Sequence, residues 1–396
     1  MQGRIQNRGL LLLCALVLIC NPTIMAQSND RTIRAVPLWG AKLKQQGFRT
    51  FRHGFVNDYG SQAAIAFSTD VVVAIFDVKS EMQEDRTTDK KIWSGWRLVG
   101  LFWDRRTGEL RAKRSWIADL HTELFSTASG NFVLRLDEFP GPLRLDEPRQ
   151  SNLILLSPNG EELRRIGLPV RGKSKGEWWE VISSTSGKSI LAVHYFEREL
   201  REYVLLDAET LQRRATWNST EKRIQRVQAI SDERLLYLGA NGTFIGTADG
   251  PLNRIELPNG WKQFLRDDLI LTLSHRPWAV AITKLSGERF VSFELGLPDR
   301  DAMANRPFVS ADGGRFGTVT AVRGQSKLYV WQAPESQPIF AIPVTYLTTQ
   351  STEAVLSPDG LHLAFINNGA IFVYTLPASA IPVTRARAHS CELTPD

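Results

Sequence analysis

A short apolar strand, a turn made of Ser, Asp and Gly, and a second apolar strand recur along almost the whole chain of 396 residues. The clearest copies are Leu124 to Leu136 and Val181 to Val193. Seven such turns are anchored at Ser68, Ser126, Ser183, Ser231, Arg266, Ser310 and Ser357. Their spacings of 35 to 58 residues are typical of repeats that each form one small four-stranded sheet. A repeat of this kind predicts an array of similar sheets rather than one central core.

Hairpins in the second half of the units agree with this prediction. Leu101 to Leu110 and Tyr203 to Leu211 each contain an apolar strand, a polar turn with Asp and Thr, and a further strand. Almost no stretch has sustained helical spacing, and the short runs rich in Val, Ile, Phe and Leu favour strands. We therefore predict an all-β fold with seven units. One unit more or fewer stays open, because two of the spacings are long and one is short.

The last unit has the most recognisable motif. Ala354 to Phe365, followed by Ile371 to Tyr374, resembles one blade of the WD-repeat and YVTN-type propellers of bacterial secreted proteins. The resemblance covers roughly residues 31 to 385, but the repeats are degenerate: Trp331-Gln332 stands where a strict WD repeat has Trp-Asp. The resemblance implies a single β-propeller of seven four-stranded blades around a central channel.

The repeat leaves no room for a second domain, so residues 27 to 396 are predicted to form one propeller. The predicted units lie at about residues 40–118, 119–172, 173–219, 220–258, 259–297, 298–345 and 346–385. A propeller is stabilised when its two ends are joined, and the last unit has only three clear strands. The segment Arg31 to Leu38 is predicted to supply the fourth, since Pro37 is tolerated on an edge strand. The rival closing strand is Ile381 to Thr384.

The first 26 residues follow the pattern of a secretory signal peptide. Arg4 and Arg8 precede an apolar run from Leu10 to Cys20, and small Ala26 precedes a polar segment. The run is too short for a membrane span, which needs about 20 residues. We therefore expect cleavage after Ala26, no membrane span afterwards, and a secreted or periplasmic protein.

Cleavage would leave Cys391 as the sole cysteine, so the mature chain is expected to have no intramolecular disulfide. A large exported protein without disulfides fits a bacterial periplasm or exterior. The formal net charge would fall from +6 to +4, because the cleaved signal peptide contains Arg4 and Arg8. This near balance argues against a dedicated nucleic-acid binder, which usually has a clustered basic face.

Ligands of propellers bind where the innermost strands enter the channel, because the blades converge there. The position five residues before each turn anchor is predicted to lie at this entrance. It selects Ala63, His121, Trp178, Arg226, Trp261, Asn305 and Thr352. Trp, Arg and His often make stacked or buried contacts in recognition sites. The alternative is that these are ordinary loop residues that pack under their neighbours.

No catalytic or metal-binding motif is found, and no cofactor is predicted. The six histidines are scattered, whereas a metal site needs clustered ligands. Ser310 to Gly317 superficially resembles a sialidase-type Asp box, but we interpret this single copy as a turn. The sequence contains no H-E-x-x-H motif.

Our leading hypothesis is an exported, non-catalytic binding or interaction module that holds a protein, small-molecule or glycan ligand at the channel entrance. The alternative is a propeller enzyme, lactonase-like or another hydrolase, with its active site at the channel mouth. A structural scaffold is a third reading, and it would require a broad apolar patch on a side wall. Converging ionisable side chains would favour the enzyme, since the fold alone does not fix the function.

Overall fold

The computed structural model describes residues 37–42, 64–84, 91–118, 122–138, 150–168, 177–196, 199–218, 224–239, 242–248, 250–266, 268–275, 277–298, 302–344, 354–367 and 370–378. These residues form strands and turns only, in seven antiparallel sheets. None of the described segments is a helix that could span a membrane.

The first four sheets each contain consecutive strands. Blade 1 consists of Ala64–Phe67, Val71–Glu84, Lys91–Asp104 and Leu110–Ala118. Blade 2 consists of Glu123–Ser126, Phe132–Glu138, Gln150–Leu156 and Glu162–Gly167. Blade 3 consists of Glu177–Ser183, Ser189–Phe196, Glu199–Asp207 and Arg213–Asn218. Blade 4 consists of Ile224–Ile230, Leu235–Gly239, Gly242–Gly246 and Asn253–Ile255.

The last three sheets complete the set. Blade 5 consists of Trp261–Arg266, Leu269–Ser274, Ala279–Lys284 and Arg289–Glu294. Blade 6 has a divided inner strand, Ala302–Ala304 and Phe308–Val309, followed by Arg315–Val322, Gln325–Gln332 and Pro338–Val344. Blade 7 consists of Ala354–Leu356, His362–Asn367 and Ala370–Thr375, with Trp39–Lys42 as its outer strand.

The blades are arranged in a ring. The inner strand Ala64–Phe67 of blade 1 lies beside both Glu123–Ser126 of blade 2 and Ala354–Leu356 of blade 7. The buried apolar side chains of the described residues fall into seven clusters, one at each interface between adjacent blades. The core is thus divided among seven sheet-to-sheet contacts, and the prediction of an all-β seven-bladed β-propeller is confirmed.

The outer strand of blade 7 joins the two ends of the propeller. Trp39–Lys42 pairs with Ala370–Thr375, and the amide of Leu38 donates to the carbonyl of Val373 at 2.5 Å. This strand directly follows the predicted closing segment Arg31 to Leu38, of which residues 31–36 lie outside the described residues. The rival segment Ile381 to Thr384 also lies outside them.

Trp39 fixes the closing strand to blade 1. Its indole N–H donates to the carbonyl of Arg105 at 2.7 Å, and its ring lies 6.1 Å from that of Trp103. The ring also covers Gly108, where a Cβ would come within 2.7 Å of it and where φ is +72°. Glycine at this turn therefore allows the indole to lie flat against blade 1.

The turns between the first and second strands share one hydrogen-bond pattern. The turn residue donates its backbone N–H to the carbonyl at the start of the next strand in six blades. These residues are Ser68, Thr127, Ser184, Ser231, Ser310 and Ser357. In several blades the side-chain hydroxyl also accepts a backbone N–H, as Ser310 does from Arg315 at 2.9 Å. In blades 2 and 3 the predicted anchors Ser126 and Ser183 are one residue too early, because they end the inner strand.

We expect Trp39→Ala to lower the free energy of unfolding by about 2 to 4 kcal/mol, because a large side chain is lost at the closure. Denaturant unfolding measures this change. Hydrogen exchange should also become faster in Ala370–Thr375, the strand that Trp39–Lys42 covers.

The matched control is Trp217→Ala, which removes an indole from the outer strand of blade 3, where it stacks on Tyr203. This variant should lose stability without faster exchange in Ala370–Thr375. Equal exchange in both variants would contradict a special role of Trp39 in closure.

Candidate functional site at the channel mouth

A cavity of about 780 Å³ lies at the centre of the ring. Residues from the innermost part of all seven blades line it. One lining residue from each of blades 1 to 7 is, in that order, Ile65, Leu124, Val181, Arg226, Trp261, Asn305 and Ala354. Most of the lining is apolar or carries hydroxyl groups. The charged side chains of the lining, Arg226 and Arg306, lie on blades 4 and 6 together with Trp261 of blade 5. We call the part of the cavity around these three residues the channel mouth.

Trp261 is placed between two guanidinium groups. The Cζ atoms of Arg226 on blade 4 and Arg306 on blade 6 each lie 5.9 Å from the centroid of its ring. Both blades are neighbours of blade 5, which contains Trp261. This distance is within the range of a cation–π interaction. The indole is still 40% exposed. The channel mouth therefore presents an accessible aromatic surface with positive charge on two sides.

The interruption of the inner strand in blade 6 positions Arg306. Pro307 has no N–H for pairing, and Asn305 leaves the strand with its N–H bonded to Val319 O at 2.8 Å and its carbonyl accepting from Thr318 Oγ1 at 2.7 Å. The Nη2 of Arg306 donates to the carbonyl of Gln228 at 2.9 Å. Surrounding protein and the like charge of Arg226 lower the pKa of Arg306, although its side chain is exposed in the cavity.

Glu180 of blade 3 neutralises Arg226. Its Oε1 lies 3.2 Å from Arg226 Nη2, and its Oε2 accepts the hydroxyl of Tyr195 at 3.0 Å. Burial and the negative charge of Glu180 raise the pKa of Tyr195. The Tyr195 ring stacks on Trp178 with the centroids 4.2 Å apart. A continuous set of contacts thus runs from Trp178 on blade 3 to Trp261 on blade 5.

Glu123 of blade 2 is the second carboxylate near the channel mouth. It accepts the N–H of Val181 at 3.0 Å and lies 3.2 Å from Arg135 Nη1. Arg135 also pairs with Asp137 at 2.5 Å, so two carboxylates balance its charge. Burial raises the pKa of Glu123, and the adjacent Arg135 opposes this shift. The hydrogen bond from Val181 connects Glu123 of blade 2 to blade 3.

The structure places the predicted entrance residues in three groups. Arg226, Trp261 and Asn305 line the cavity. Trp178 is 45% exposed and does not line it. The remaining predicted positions lie outside the described residues, namely Ala63, His121 and Thr352. Whether any of these residues binds a ligand stays a prediction.

Neither Trp178 nor its neighbour Trp179 lines the cavity. Ser184, not Ser183, closes the turn of blade 3, so counting back five residues from the true turn gives Trp179. A shift of one residue moves a side chain to the opposite face of a strand. Trp179 is buried between blades 2 and 3, whereas Trp178 faces Tyr195.

Glu123 and Arg306 were not among the residues predicted for the channel entrance. Both lie four residues before the residue that closes the turn, Thr127 in blade 2 and Ser310 in blade 6, and Glu180 has the same position in blade 3. A charged residue at this offset is the signal that could have found them. It becomes visible only when the turns of blades 2 and 3 are anchored one residue later.

Within the part of the chain that the structure describes, no group of three His, Cys, Asp or Glu side chains could hold a metal ion. The channel mouth instead combines an accessible indole, two guanidinium groups and two carboxylates. Such a set can stack against a flat or apolar group and donate several hydrogen bonds to an acceptor.

Solved structures of similar fold are known. A chain in the crystal structure of a mitotic checkpoint complex matches with a TM-score of 0.51 at 11% identity, over 90% of this chain and 99% of that chain. BamB from Moraxella catarrhalis matches at 14% identity over 86% of this chain and 99% of that chain, with a TM-score of 0.42. The C-terminal WD40 domain of Sif2 matches at 10% identity over 80% of this chain and 97% of that chain, with a TM-score of 0.43.

No protein-family model and no curated protein matches the chain. At these identities the likeness to solved structures defines the fold alone. The seven four-stranded blades and the match to the checkpoint-complex chain identify the fold as a seven-bladed β-propeller.

We expect Tyr195→Phe to lower the free energy of unfolding by about 1 kcal/mol, because it removes one hydrogen bond to a carboxylate and keeps the ring on Trp178. Denaturant unfolding tests this. The same substitution should cost less when Glu180→Gln is already present, since a neutral amide accepts a weaker hydrogen bond. An equal loss in both backgrounds would show that the negative charge of Glu180 does not strengthen the hydrogen bond from Tyr195.

Proposed function

We propose that the protein is an exported, non-catalytic binding module whose ligand or protein partner is held at the channel mouth. The observation that carries this proposal is the accessible Trp261 between Arg226 and Arg306. Trp and Arg are the residue types that most often dominate the binding energy of recognition surfaces. They are mounted on the inner strands of a rigid ring, so little order has to be gained on binding.

Further exposed apolar side chains support a recognition surface on this side of the ring. Met303 lines the same cavity and is 45% exposed, and Trp178 is equally exposed on blade 3. Exposed apolar groups beside charged ones are typical of interaction sites. The structure of similar fold comes from a mitotic checkpoint complex, an assembly of several proteins, and this is consistent with a role in protein interaction.

Export is the second part of the proposal and depends on the leader predicted at residues 1–26. Expression of the full chain in a bacterial host with a periplasm should yield a mature protein that begins at Gln27. Mass spectrometry of the intact protein measures its start. Retention of residues 1–26 in the cell-associated protein would contradict export by a cleaved signal peptide.

The binding proposal predicts a ligand-dependent rise in melting temperature, because a ligand that binds only the folded state stabilises it. Residues 27–396 are screened against metals, sugars, nucleotides and peptides. Any rise should be lost in Trp261→Ala. It should be kept in Leu163→Ala, which shortens a 53% exposed side chain on the outer strand of blade 2, away from the cavity.

A rise that survives Trp261→Ala would place the binding site elsewhere and contradict the proposal. Compounds that bind are then incubated with the protein and analysed for chemical change. Turnover that Trp261→Ala abolishes would favour the hydrolase alternative over a non-catalytic module.

A further inference from the structure

The two arginines beside Trp261 differ in their partners. Arg226 has the carboxylate of Glu180 at 3.2 Å. Arg306 lies equally far from the Trp261 ring, but among the described residues no carboxylate oxygen is within ion-pair distance of it. Within the described part of the chain, its Nη2 donates only to the backbone carbonyl of Gln228. Of the two guanidinium groups at the channel mouth, Arg226 is therefore in an ion pair with a described carboxylate and Arg306 is not.

The charged form of Arg306 is disfavoured in the folded protein. Surrounding protein and the nearby Arg226 lower the pKa of Arg306 by more than Glu180 and Glu123, which form no ion pair with it, raise it. A guanidinium has five N–H donors in a planar fork, and the bond to Gln228 uses only one of these groups. The remaining donors fit a planar anion that can accept two parallel hydrogen bonds. Because Arg306 is exposed in the cavity, such an anion can reach it from solvent.

The neighbours of Arg306 in the cavity select among anions. Trp261 and Met303 line the same cavity and are both partly exposed. A carboxylate attached to an apolar group can contact these side chains while its two coplanar oxygens accept from the guanidinium fork. Inorganic phosphate has no apolar part, so an organic carboxylate fits this site better than phosphate.

We propose that the channel mouth binds a ligand carboxylate through Arg306, with an apolar part of the same ligand against Trp261 and Met303. This inference rests on the proposed function, since it specifies the chemistry of that binding site. The carboxylate can belong to a free organic acid or to a Glu or Asp side chain of a peptide. Both sources present the same group to Arg306, and the experiment separates them.

The test uses two matched pairs of probes and the chain 27–396. The first pair is 3-phenylpropionate, a singly charged acid with an apolar ring, and its neutral amide, 3-phenylpropanamide. The second pair is a mixture of short acetylated, amidated peptides with Glu fixed at the central position, and the same mixture with Gln there. Inorganic phosphate is the fifth probe. Melting temperature and calorimetric titration at millimolar probe concentration are the two readouts.

At least one carboxylate probe should bind more tightly than its neutral partner and more tightly than phosphate. Arg306→Gln should weaken that binding by about tenfold or more, because a hydrogen bond to a charged group is lost. It should leave any binding of the neutral partner unchanged. Arg306→Lys should restore part of the affinity, since it keeps the charge but not the planar fork. Leu163→Ala should behave as the unmodified chain.

Binding of 3-phenylpropionate alone would identify a small acid as the ligand type, and binding of the Glu peptides alone would identify an acidic peptide. The inference is overturned if no carboxylate probe binds, if neutral and charged partners bind equally, if phosphate binds most tightly, or if Arg306→Gln has no effect. The variant Trp261→Ala distinguishes this failure from a failure of the proposed function. If neutral probes bind and their binding needs Trp261 but not Arg306, the proposal of a binding site at the channel mouth is supported, and only the proposal of a carboxylate ligand is contradicted.

Discussion

The packing of each sheet against the next is the interaction on which the rest of this molecule depends. Both faces of a blade are buried, and each interface has its own apolar cluster. A single blade cannot bury both faces, so the blades are stable only as a closed set. The ring closes where Trp39–Lys42 of the N-terminal segment completes blade 7 and where Trp39 packs on blade 1. The central cavity exists because this closure holds seven inner strands around one axis.

The ring also explains how charged side chains are tolerated near its axis. Burying a charge without a partner is costly. Arg135 is held by Glu123 and Asp137, and Arg226 is held by Glu180. The pairs of Arg135 lie within blade 2, whereas the pair of Glu180 and Arg226 connects blades 3 and 4 and so helps to align them. Arg306 departs from this pattern, because its hydrogen bond goes to a backbone carbonyl.

The architecture was predictable from the sequence because the turns have a chemical signature. Hydroxyl-bearing residues such as Ser310 and Ser357 accept the N–H that starts the next strand, and the same residue types recur wherever the fold needs this turn. Strand faces were harder to predict. In blade 3 two adjacent serines, Ser183 and Ser184, both fit the turn, and choosing the first displaced the predicted position by one residue. A strand converts that small error into the opposite face.

The channel mouth was less predictable than the blades because it depends on contacts between distant parts of the chain. Trp261 and Arg306 meet across two blades, and no local pattern encodes that distance. Blade 6 is also irregular at this point, since its inner strand is interrupted beside Pro307. A ring of similar blades offers similar positions to any ligand on its axis. Selectivity therefore has to come from the blade that departs from the repeat, and in this propeller the departure in blade 6 presents Arg306 to the cavity.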